Sequence, residues 1–147
     1  MNIREVMETF NKEALIDLII ELSDNDYFPP ELFLLRANYD FSSEELEQLW
    51  HSAYENADMP ERRNSNAANI LRDAAELCFK HAKQLSSEAE KIAFCRMLVS
   101  DMQRAAEEDG IGMYDDSEWY YLEVSKQIES YLTEIAENCG KPEEPRG

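Results

Sequence analysis

Apolar residues recur along this chain at intervals of three and four, the period of an amphipathic helix, and nowhere alternate long enough to mark a half-buried strand. The clearest stretch, Ser87 to Asn138, reads as two long helices folded back around an acidic, glycine-containing turn. In the first arm Ser87 and Glu90 have capping-box spacing. Ala89, Ile92, Ala93, Met97, Val99 and Ala106 trace its apolar face, which Phe94, Leu98 and Met102 widen, and Gly110 can close the helix in the left-handed conformation. The second arm follows Asp115, Asp116 and Ser117, which can accept first-turn amides at the positive end of the helix dipole. Trp119, Leu122, Ile128, Tyr131, Leu132 and Ile135 supply its inward face, flanked by Tyr120, Tyr121 and Val124. At about 1.5 Å per residue the arms match in length, so a short connection predicts antiparallel packing.

The rest of the chain repeats the theme. Ile3, Val6, Met7 and Phe10 mark a short amphipathic segment. After Asn11, Leu15, Leu18, Ile19 and Leu22 form an inward face with Ile16 and Ile20 beside it, so the two segments read either as one helix or as two. Ser23 to Asp26 is a turn. Pro30 suits a first helical turn, and Pro30 to Ala37 predicts a short helix with Leu32, Phe33, Leu34 and Leu35 on all sides. Ser42 and Glu45 repeat the capping-box spacing ahead of a stripe of Leu46, Leu49, Trp50, Ala53, Tyr54 and Ala57. Residues 58–66 carry no apolar period and predict a connection or a hinge, with Arg62 and Arg63 as exposed loop charge. Ala67 to Gln84 is a helix with Ala68, Leu71, Ala75, Cys78 and Ala82 on one side, whose alanines permit close approach. It must turn back at once on the helix that starts at Ser87. Residues 140–147 have nothing to bury and predict a disordered tail.

The succession of Leu15 to Leu22, Leu32 to Arg36 and the hairpins of Ala67 to Asn138 resembles the helical segments that flank SWIM-type zinc fingers in some bacterial proteins. The finger itself needs Cys-x-Cys followed by Cys-x-His, and this sequence has neither. The resemblance therefore implies a helical scaffold and transfers no site residue.

Charge changes the picture. Lys and Arg number 14 against 32 Asp and Glu in 147 residues, a formal charge of −18. Such a surface repels phosphate backbones and anionic headgroups, so neither direct nucleic-acid binding nor a membrane partner is expected. It suits solubility, or docking on a positively charged protein, including one whose basic groove otherwise holds nucleic acid. Cys78, Cys95 and Cys139 form neither a disulfide framework nor a zinc site, and the first two fall in helical patterns as small buried hydrophobes. No stretch has the apolar length of a signal peptide or a membrane span, and a cytoplasmic location is the default.

Chemistry is sparse. Glu107, Glu108, Asp109, Asp115, Asp116 and Glu118 crowd the hairpin turn, but the EF-hand order is absent and helix-end capping accounts for them. His51 and His81 have no Ser, Cys or second His at helical spacing; Glu47 offers His51 only an i, i+4 contact. Tyr114, Tyr120 and Tyr121, with Trp119, place aromatic rings beside these acids, the composition of an interface. The competing reading makes Trp119 the start of the core face.

The sequence therefore predicts an all-α domain over residues 1–139, of five or six helices in antiparallel pairs, as a bundle or short α-solenoid ending in a long hairpin. It has no catalytic constellation, metal site or cofactor. The expected role is a non-enzymatic acidic interaction module for a basic protein, of the inhibitor, immunity-type or nucleic-acid-mimicking kind. Its contact patch would comprise Glu107, Glu108, Asp109, Tyr114, Asp115, Asp116, Glu118, Tyr120 and Tyr121. A structural subunit of a larger helical assembly, or a helical domain holding a small molecule or metal, is the alternative.

Overall fold

The computed structural model describes residues 2–23, 30–36, 39–58, 65–112 and 118–140, and among them every regular element is an α-helix. In chain order these are α1 (Ile3–Glu8), α2 (Lys12–Ser23), α3 (Pro30–Leu35), α4 (Ser43–Ala57), α5 (Ser65–Ala82), α6 (Glu88–Glu107) and α7 (Trp119–Gly140). The N-terminal stretch is thus two helices rather than one. Residues 59–64, with Arg62 and Arg63, lie outside the described residues, as does the tail from 141.

Polar caps set the helix starts. Asn2 accepts the Arg4 amide at 3.0 Å and Asn11 the Ala14 amide at 2.7 Å. At α4 the full capping box forms: Ser42 Oγ accepts the Glu45 amide at 3.1 Å, and the Glu45 carboxylate accepts the Ser42 amide at 3.0 Å. At α6 only half of the expected box is present. Ser87 Oγ accepts the Glu90 amide at 3.1 Å, while the Glu90 carboxylate turns to the Ser87 hydroxyl at 3.3 Å. Each such cap is worth about 1 kcal/mol.

The core is built around α5, which packs against α3, α4, α6 and α7. Its buried residues are chiefly small: Ala67, Ala68, Ala74, Ala75, Cys78 and Ala82, with Leu71. Small side chains let neighbouring helices come close, and the space between them is filled from α4, α6 and α7 by Trp50, Leu46, Leu98, Met102, Tyr121 and Ile128. Arg72 lies over the Tyr120 ring at 5.8 Å, and Phe79 meets Tyr131 edge-on at 5.4 Å. Later residues on α5 meet later residues on α7, so these two helices run in the same direction. α6 also packs on α7, with the end of α6 beside the start of α7.

Two inward faces differ from the sequence expectation. On α6 the buried residues are Phe94, Cys95, Leu98, Asp101, Met102 and Ala105, while Ala89 and Ala93 are exposed. The stripe expected at the flank is therefore the core face. On α7 the buried positions are Tyr121, Val124, Ser125, Ile128 and Ile135, and Trp119 is 54% exposed. The rotation follows from α7's position against both α5 and α6, which a one-helix pattern does not contain.

The third departure is larger. Among the described side chains none of α1 or α2 is in the core cluster, and Val6, Met7, Phe10, Ile16 and Ile19 are exposed. Leu15 and Leu18 are only half-buried. Of the expected inward face of α2, the described residues Leu15, Leu18 and Ile19 lie outside the core cluster.

Candidate functional site

Three places have enough polar or apolar organisation to carry a function: the turn after α6, the seam between α4 and α6, and a cleft between α3 and α4.

Glycine shapes the turn after α6. Gly110 and Gly112 take φ of 61° and 79°, the left-handed region that a Cβ disfavours, and between them Ile111 is driven into the core. The Ile111 amide reaches back to the Ala105 carbonyl at 2.9 Å. Its own carbonyl accepts the Tyr121 O–H at 2.6 Å. Tyr121 is fully buried, which removes it from the expected contact patch: its ring fixes the start of α7 against the end of α6. Burial, then the nearby Glu118, raises its phenol above the ordinary tyrosine value. Asp109 is also committed inward, accepting the Tyr54 O–H. Glu107 and Glu108 are exposed, Glu118 and Tyr120 half-buried, and the Trp119 ring lies 4.2 Å from that of Tyr120. Tyr114, Asp115 and Asp116 lie outside the described residues.

The α4–α6 seam is a polar network that the sequence did not disclose. Asp101, only 7% exposed, accepts the Trp50 Nε1–H at 2.8 Å. Arg104 faces its other oxygen at 3.5 Å, and His51 Nε2 stands 3.8 Å from the first. One turn along, Arg104 lies over the Tyr54 ring at 4.8 Å and donates from Nε to the Tyr54 hydroxyl at 3.4 Å. Burial pushes the Tyr54 phenol above its usual range, with Asp109 acting in the same direction and the Arg104 hydrogen bond opposing both. These contacts join α4 to α6, so the group works as a clamp between the two helices. An acid inside the Leu98, Met102, Ala105 stripe was the available signal for it. Its partners lie some fifty residues away.

The cleft between α3 and α4 has a volume of about 520 Å³. Leu34, Tyr39, Phe41 and Leu49 give it apolar walls, and Glu31 and Glu45 bring carboxylates to them; among the described residues no lysine or arginine lines it. Glu31 is 7% exposed, and among the described residues it accepts from Asn56 Nδ2 at 3.3 Å. At the mouth Leu34 is 51% exposed. The Tyr39, Phe41 and Glu45 wall is shared with a second, more polar cleft. There His81 donates from Nε2 to the Leu35 carbonyl at 2.6 Å, and its ring meets Phe41 edge-on at 4.9 Å. His81 thus ties α3 to α5. The aromatic pair just ahead of the Ser42 cap was a visible hint of this cleft; the burial of Glu31 was not.

Cys78 and Cys95 are free and buried, and Cys95 is pushed up to about 11 by burial, with Lys83 opposing. Among the described residues no group of three or more His, Cys, Asp and Glu side chains is placed to hold a metal, and no helix is long and apolar enough to cross a membrane. No protein-family model matches the chain, and neither a curated protein nor a solved structure matches it.

Proposed function

We propose that this chain is a non-enzymatic, acidic protein-interaction module for a positively charged protein. The observation that carries this reading is the α1–α2 arm. Its apolar side chains Val6, Met7, Phe10, Ile16 and Ile19 are exposed and lie outside the core cluster of the described residues. A helix of α2's length is marginal in water on propensity alone and draws its stability from burying an apolar face. A protein partner supplies that burial. Glu13, Asp17 and Glu21 recur every four residues along α2, so a partner covering the apolar stripe meets a row of carboxylates beside it. With a chain charge of −18, the complementary surface is apolar with a basic rim. Asp101, Tyr54 and Arg104 are paired with Trp50 and with one another, which favours recognition over catalysis.

Affinity capture from lysate at low and high salt, with the wild-type chain and with Ile16→Asp/Ile19→Asp, tests the reading. Retention of a basic protein that weakens with salt and is lost in the double variant supports it. Retention indifferent to both salt and substitution, or no retained basic protein, refutes it.

A further inference from the structure

We infer that the α3–α4 cleft is the anchor site for a lysine- or arginine-bearing apolar segment of the basic partner, an inference that rests on the interaction-module reading above. Its lining among the described residues combines four apolar side chains, Leu34, Tyr39, Phe41 and Leu49, with the carboxylates of Glu31 and Glu45 and includes no basic residue. Glu31 decides the ligand's chemistry. A carboxylate taken out of water costs stability unless a cation or several donors compensate it, and among the described residues Glu31 has the neutral amide of Asn56 at 3.3 Å. Attraction for an arriving cation is correspondingly strong where water is excluded. Glu45 holds the Ser42 amide through Oε1, which fixes its carboxylate at the rim. The exposed Leu34 and Tyr39 at the mouth offer apolar contact to the stem or neighbours of that cation.

Charge also selects among occupants. The chain's own α1–α2 arm carries five acids against two bases between residues 2 and 23, and a second copy brings a further −18; either would set carboxylates against Glu31 and Glu45. A basic amphipathic helix laid across the cleft sets apolar residues on Leu34, Phe41 and Leu49 and one cation on Glu31, the helix-in-groove mode of recognition.

The probe is a synthetic amphipathic helix of leucine and lysine, titrated into the full-length, isotope-labelled chain by NMR, with a leucine–glutamate peptide, hexylamine and a chain-only dilution series alongside. Saturable shifts at Leu34, Tyr39, Phe41 and Leu49 are expected with the lysine peptide alone. Glu31→Gln keeps the shape and the Asn56 contact. It should weaken binding about tenfold or more while thermal stability holds or rises. Leu34→Asp gives a second, surface-level loss. Shifts confined to α2 would overturn the cleft assignment while leaving the interaction module standing; no interaction with the lysine peptide anywhere, joined to an empty capture experiment, would remove both. Equal binding of the glutamate peptide, saturation by hexylamine but not by peptide, or concentration-dependent shifts of the chain alone at these residues would each overturn the inference.

Discussion

Trp50 and Asp101 meet in the interior, the indole N–H donating to Oδ2 at 2.8 Å across 51 positions of sequence. This bond satisfies the one polar atom of the largest fully buried side chain and ties α4 to α6 where Arg104 and His51 also face the carboxylate. Asp101→Ala leaves the indole N–H buried and unpaired, a loss of about 1–3 kcal/mol. Asp101→Asn retains an acceptor and should recover a large part of it. Denaturant unfolding of the two variants measures the difference, and equal stability of both with wild type would show that the bond holds nothing.

The two buried phenols make stability fall in alkali. Burial raises both Tyr54 and Tyr121, so the neutral form is favoured in the folded chain and the unfolded chain ionises first. Their contribution is intact below the ordinary tyrosine value of 10.0 and is lost as pH climbs towards the higher folded values. Cys95 adds a loss that begins near 9.0 and is complete by about 11. Unfolding midpoints measured across this range should decline. Tyr121→Phe should lower stability at neutral pH by about 1 kcal/mol through the lost Ile111 bond, yet flatten the decline above pH 10.

Thiol chemistry offers an independent check on the same interior. Cys78 and Cys95 are buried, and burial raises both thiols, so neither offers thiolate to a reagent at neutral pH. In Cys139→Ser a chromogenic disulfide should therefore release no colour from the native chain and two equivalents after denaturation. Prompt native reaction of either would contradict the packing of α5 on α6.

Where the sequence was legible, the reason was local. Ser42 and Glu45 announce α4 because a capping box is an i, i+3 device, and Gly110 announces the end of α6 because its φ of 61° is a backbone requirement of a single residue. The α4 stripe of Leu46, Trp50, Ala53, Tyr54 and Ala57 is buried as the period predicts. Period fails where a helix has apolar residues on more than one side. On α7, Ile128 and Ile135 are buried as expected, but Trp119 and Leu122 compete with Tyr121 and Val124, and only the simultaneous contact with α5 and α6 picks the second pair. The seam was invisible for the opposite reason: Asp101 counts as polar and outward until Trp50, far away in sequence, supplies a donor. The acidic turn drew notice through composition, although Asp109 and Tyr121 serve internal bonds there. The cleft at Glu31 depends on α3 meeting α4, and a hydrophobic period carries no record of that meeting.

The exposed arm and the buried core should answer opposite substitutions in opposite ways. Leu98 is fully buried on α6 within the core, so Leu98→Ala removes transfer energy and leaves a cavity, a cost of about 2–5 kcal/mol. Ile16 and Ile19 are each 44% exposed and lie outside the core cluster, so Ile16→Asp/Ile19→Asp should change global stability by less than about 1 kcal/mol. Local loss of helix in α2 is read by amide exchange at Leu15 to Ile20, separately from the core amides of Leu71 and Leu98. If the arm were instead an integral layer of the core, the double substitution would lower the main unfolding transition as far as Leu98→Ala does. A charged pair that abolishes partner capture while the main transition stays in place separates the proposed binding role of these isoleucines from any role in folding.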